Sequence, residues 1–219
     1  MRPLEIYQKY RIMPQLMEHQ LKVAGVAKVL CDNSTVKVDE ANILAACLLH
    51  DMGNIIKFDL SVTDRLLPGR FSKQDLALWQ EVKNQVIAKY GKDEHQASLA
   101  IVREMGLSQR ILELIDCIGF QHGQSNADSA DFGKKICAYS DMRVGPLGVI
   151  SLEQRFEDLR LRYEDKHRLM GGDETARLEF ENGLRQVEAQ LFRECKIRPE
   201  EITEEKVSTE MDNLKNFGI

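Results

Sequence analysis

The chain has 219 residues, 43% hydrophobic and 30% charged, the balance of an ordinary soluble globular protein large enough to bury its own core. Its net charge of −5 excludes a general electrostatic grip on nucleic acid, so phosphate chemistry would have to draw on a metal or a few local Lys and Arg. The cysteines, Cys31, Cys47, Cys117, Cys137 and Cys195, form no C-x-x-C pair. All but Cys195 lie in apolar runs and read as buried free thiols in a reducing, cytoplasmic setting. No apolar h-region opens the chain, and the longest apolar stretch, 43–49, is too short to span a bilayer, so no membrane role is expected.

In chain order, apolar positions at Leu16, Leu21, Val23, Val26, Ala27 and Leu30 predict a helix over 14–31. Asp39 is placed to cap a helix running through ANILAACLLH to Met52, with Gly53 as its terminator. Residues 54–71 read as an apolar-lined loop ending at Pro68-Gly69. A helix follows over 72–90 and stops at Gly91. Asp93 caps 94–105 before Gly106, and Ser108 caps 109–118. The polar, turn-rich HGQSNADSAD, 122–131, reads as a loop, and GKKICAYSDM as a buried helix ending before Gly145-Pro146.

Composition shifts near 150. Ser151 with Gln154 makes a capping-box pattern that opens a charged helix to 169, with Leu152, Phe156, Leu159 and Tyr163 as its packed stripe. Gly171-Gly172 interrupts it, Asp173 starts a second charged helix to 195, and a short segment over 199–217 closes the chain. Few prolines, 6% aromatics and no long Val/Ile/Thr alternation favour an all-α fold. The expected organisation is a chemical domain over 1–148 and a helical extension over 149–219. That extension would pack on the domain or on a partner, a homodimer included.

The histidines carry the chemical signal. His50-Asp51 sits in ACLLHDMGN, His19 in MEHQLKVAGVA and Asp141 in ICAYSDMRVG. Polar groups in such apolar runs need a partner, and an unpaired buried carboxylate is expensive. Neutral imidazole nitrogen with hard carboxylate oxygen suits a divalent transition metal: Zn, Fe or Mn. His167 lies in a charged helix near its end, where partial positive charge is favoured, and reads as structural.

The order His19, His50-Asp51, Asp141, within H-x3-VA-x2-A at 19–27, LLHDMGN at 48–54 and YSDMR at 139–143, resembles the HD superfamily of metal-dependent phosphohydrolases. Many members carry Lys after HD-x-G; this chain has Asn54 there, and Lys57 three residues on. The resemblance implies an HD-domain helical bundle. It also implies one metal on His19, His50 and Asp141, and a second on His95 and His122 with Asp51 bridging, as in two-metal members. Asp51 would serve catalysis directly. Arg143, one turn from the ligand, and Lys135 are candidates to steady a phosphate, as is Lys134 beside them.

The leading expectation is therefore hydrolysis of a nucleotide or other small phosphate ester by a metal-activated water. Two alternatives stand beside it. One is a di-iron oxygenase of the same superfamily that cleaves a C–C or C–P bond. The other is a non-catalytic nucleotide-sensing module acting through 149–219.

Overall fold

The computed structural model describes residues 1–61, 72–170 and 174–219, and of 162–170 the backbone alone. The predicted loop end at Pro68-Gly69, the Gly171-Gly172 break, the Asp173 start and the side chains of Tyr163 and His167 lie outside the described residues.

The chain folds as helices α1 (Pro3–Lys9), α2 (Pro14–Asn33), α3 (Glu40–Leu49), α4 (Lys73–Tyr90), α5 (Glu94–Glu104), α6 (Gln109–Asp116), α7 (Gly123–Asp128) and α8 (Phe132–Met142), then α9 (Leu152–Met170), α10 (Glu174–Arg193) and α11 (Glu204–Leu214). A two-stranded hairpin, β1 (Val144–Gly145) and β2 (Gly148–Val149), links α8 to α9. The fold is all-α apart from that hairpin. No helix among the described residues is long and apolar enough to cross a membrane.

Local chemistry sets most helix starts. The side chains of Asp39, Ser72, Asp93 and Ser108 accept from Asn42, Asp75, Gln96 and Ile111 backbone N–H groups, each satisfying a donor the first turn would leave unpaired. Ser151 and Gln154 exchange the two bonds of a capping box at the start of α9. Gly91 ends α4 at φ 92° and Gly106 follows α5 at φ 73°, backbone that a side chain would strain.

Gly53 differs from the terminator it was expected to be. Its φ is −95°, open to any residue. Its need is steric: a Cβ would meet Glu94 O at 2.6 Å, Ala97 Cβ at 2.7 Å and Ser98 N at 2.8 Å. The backbone after His50-Asp51 thus lies directly on α5, and Gly53 N–H donates to Ser98 Oγ.

Three further elements depart from the sequence reading. Residues 3–9 are helical, with Ile6 and Tyr7 buried and the Tyr7 hydroxyl donating to Leu48 O. The segment read as a loop, 122–131, contains α7. Its polar residues fold because tertiary contact supplies what propensity does not. Glycines on both partners, Gly123 and Gly183, let α7 and α10 meet backbone to backbone, and Asn126 Nδ2 donates to Cys117 O. The closing segment holds a 3₁₀ turn, Pro199–Glu201, and then α11, which packs on α2.

The core runs through the whole chain. Buried side chains of α2, α3 and α8 join Leu152 and Phe156 of α9, Leu184, Val187 and Leu191 of α10, and Val207 and Leu214 of α11 in one cluster. Residues 149–219 therefore contribute to the same core, although Leu161 and Leu178 stay exposed. The five cysteines are unpaired, and all but Cys195 are buried.

Candidate metal centre

Three helices deliver the site. His19 projects from the first half of α2, His50 closes α3, Asp51 opens the turn behind it, and Asp141 lies one residue before the end of α8. α2 packs against both α3 and α8, and these two against each other. His50 therefore meets side chains from both neighbours. His19 Nε2 lies 3.1 Å from Asp141 Oδ1 and 3.6 Å from Asp51 Oδ2. His50 Nε2 lies 3.5 Å and 3.7 Å from the same two oxygens. Among the described residues, the donor atoms of His19, His50 and Asp141 all fall within 4.8 Å of one another.

Hydrogen bonding fixes which nitrogen of His50 faces the carboxylates. Nδ1 is 2.8 Å from Cys47 O; a carbonyl only accepts, so Nδ1 carries the proton and Nε2 presents its lone pair. Nε2 is buried and has no hydrogen-bond partner among the described residues. A lone pair facing two carboxylate oxygens in a desolvated space calls for a cation between them, either a proton or a metal. Burial alone would push the His50 imidazole down, but Asp51, Asp141 and the Cys47 carbonyl outweigh it and raise it to about 9. Burial would likewise raise Asp141, yet the His19 and His50 rings hold its carboxyl well below the usual range. The group is built around positive charge. Two imidazole nitrogens and two carboxylates form a mixed N/O set that fits a divalent transition ion, and the Cys47 carbonyl is the kind of outer partner that orients a ligating histidine.

Two neutral side chains attend Asp51. Gln20, fully buried beside His19, accepts from Asp51 N–H through Oε1 at 3.2 Å. Asn54, in the place where the resemblance anticipates a lysine, donates from Nδ2 to Asp51 Oδ2 at 2.6 Å. Sequence reasoning missed Gln20, whose one signal is a carboxamide next to His19 on an otherwise apolar face. Asn54 registered only as a departure from pattern.

His95 and His122 stand outside the His19–His50–Asp141 group. His95, at the start of α5, places Nε2 3.1 Å from Asp116 Oδ1. His122 is lowered first by burial and then by the nearby His95. Asp116 was not anticipated, although a carboxylate closing the amphipathic α6 just before His122 was its signal.

The structure also commits two of the three expected phosphate-binding cations to other work. Arg143 is buried, and its guanidinium donates to Ile150 O, Tyr139 Oη, Pro199 O and Ile202 O. Lys135 is buried as well, its Nζ held by Ala127 O and Gln190 Oε1, and burial pushes its ammonium down. The reading of both as substrate cations is corrected: each ties α8 to a later part of the chain that sequence spacing could not place. Lys134 remains partly exposed.

No curated protein and no solved structure matches the chain in comparisons of either kind. A family model does: residues 16–120 match the HD domain, a span that includes His19, His50, Asp51 and His95 and stops short of His122 and Asp141. With the His50-Asp51 pair closing α3 and its partners converging on it from α2 and α8, the geometry agrees with that match, and residues 16–120 are identified as an HD domain.

Proposed function

We propose that this protein is a metal-dependent phosphohydrolase acting on a nucleotide or another small phosphate ester, with its metal held by His19, His50, Asp51 and Asp141. The observation that carries this reading is His50 Nε2, buried, without a hydrogen bond among the described residues and within 3.5 and 3.7 Å of two carboxylate oxygens. A divalent transition metal in such a site supplies a water acidified toward neutrality and positive charge for the phosphoryl oxygens.

The protein's own residues would do the rest. Cys47 O keeps His50 in the ligating tautomer. The His19 and His50 rings hold the Asp141 carboxyl low, which favours its ionised, ligating form. Asp51, somewhat more solvent-accessible than Asp141, would be the one to take a proton from attacking water. With Arg143 and Lys135 spent inside the fold, the charge that meets a phosphate falls chiefly to the metal itself.

The test couples metal content to turnover. Elemental analysis of protein purified without chelator or metal-affinity resin should find at least one Fe, Mn or Zn per chain. Phosphate release from a panel of nucleotides and small esters should depend on that metal. His50→Ala and Asp51→Ala should lose both. Full activity in metal-free Asp51→Ala would remove the proposal. Iron that changes its spectrum with oxygen and substrate, without phosphate release, would move the reading to oxygenase chemistry. Tight nucleotide binding without turnover would move it to a sensing module.

A further inference from the structure

Asp51 is gripped twice by neutral amides, and the atoms those amides leave over carry the argument. The Asp51 backbone N–H is a donor, so the Gln20 atom that meets it must be Oε1; Asp51 Oδ2 is an acceptor, so the Asn54 atom that meets it must be Nδ2. Both carboxamide orientations are thereby fixed by chemistry. It follows that Gln20 Nε2 and Asn54 Oδ1 are the free ends, and both are buried without a hydrogen-bond partner among the described residues. One free end donates and the other accepts.

We infer that Gln20 and Asn54 are positioning residues for Asp51, setting the angle at which its carboxylate meets the metal. This inference rests on the metal reading above and deepens it. The main-chain bond from Gln20 anchors Asp51 to α2, the helix that also carries His19. The Asn54 bond falls on Oδ2, the same oxygen that lies 3.6 Å from His19 Nε2 and 3.7 Å from His50 Nε2. It thus restrains rotation of the oxygen that faces the two imidazoles.

The Asn54 amide N–H orients the carboxylate and leaves its charge available. A pair with only a packing role would place apolar atoms at the buried ends. This pair keeps a donor, Gln20 Nε2, and an acceptor, Asn54 Oδ1, each with unmet hydrogen-bonding capacity.

The test is a Mn²⁺ titration of the full chain, with free Mn²⁺ read by its electron paramagnetic resonance signal, on the wild type, Gln20→Met and Asn54→Ala. Thermal unfolding of each metal-free protein is recorded in parallel. The inference expects the Mn²⁺ dissociation constant to rise ~10–100-fold in both variants, the range for loss of an outer partner of a ligand, with the metal-free unfolding midpoint little changed. Wild-type-like affinity in both variants, within about twofold, would overturn it while leaving the metal reading intact. Absence of Mn²⁺, Fe²⁺ and Zn²⁺ uptake by the wild type would overturn the metal reading itself and this inference with it. Should Gln20→Met, the more buried change, fail to fold, Asn54→Ala at the outer turn decides alone.

Discussion

His50 and His95 each face a carboxylate, yet their surroundings differ in kind. The His50 ring is 4% exposed, its far nitrogen is held by a main-chain carbonyl, and two acidic side chains and a second imidazole converge on its near nitrogen. The His95 side chain is 25% exposed, and its partner Asp116 is 65% exposed. Water can satisfy each member of the exposed pair separately, so that pair is a weak interaction of about 0–1 kcal/mol. His19, Asp51 and Asp141 keep partial exposure, but His50 itself has no such outlet, and its near nitrogen calls for a proton or a metal. A His–carboxylate contact does not mark a metal position by itself; desolvation and convergence from several helices do.

The largest expected effect sets the two groups against each other. His50→Ala or Asp141→Ala should abolish metal retention measured by elemental analysis. His95→Ala or His122→Ala should weaken binding at the buried position by less than about tenfold, below the range for its outer partners. Equal loss from both sets would break the comparison and show one shared two-metal centre; two ions per wild-type chain falling to one in His95→Ala would point the same way.

Next is Arg143→Met, which strips partners from three carbonyls, that of Ile202 buried and those of Ile150 and Pro199 half-buried. A loss of roughly 2–4 kcal/mol in denaturant unfolding is expected, and a neutral result would mean the segment 199–202 is held by other contacts.

The pH response sharpens the contrast because the two groups should move in opposite directions. In metal-free protein His50 is raised to about 9, above its unfolded value. The stability it contributes is fully present below the ordinary histidine range and is lost as pH rises through about 9. His122 is lowered, by burial and then by His95, so its contribution is present above the ordinary range and is lost as pH falls below it. Unfolding midpoints of metal-free wild type, His50→Ala and His122→Ala across pH 5 to 10 would separate the limbs. A flat alkaline limb in the wild type would contradict the buried cation at His50. The smallest effect belongs to Asp116→Asn, which should change stability by less than about 1 kcal/mol.

Much of the buried site could be anticipated because polar residues in apolar runs are conspicuous. His19, His50, Asp51 and Asp141 stand out against Leu, Val and Ala, and the structure brings those four together. Helix starts were legible for the same local reason: Asp39, Asp93 and Ser108 bond within their own first turns. What depended on distant chain was not legible. α7 needs Gly183 of α10 to fold against. Arg143 looked available to a phosphate because nothing near it in sequence reveals that 199–202 returns to cover it. Gln20 gave no periodic signal, since a buried glutamine has meaning only through the N–H it meets 31 residues away.

The burial of Arg143 also bears on what can be inherited or recombined as a unit. The family match ends at residue 120, yet Asp141 lies beyond it, on a helix whose last turn is fastened to 199–202. A gene fragment ending at 148 would still encode all four residues of the buried group. It would strand a guanidinium built to meet carbonyls encoded some fifty residues later and uncover the apolar faces that α10 and α11 bury. Sequence similarity marks out a module here, but the packing and hydrogen bonding cross its boundary.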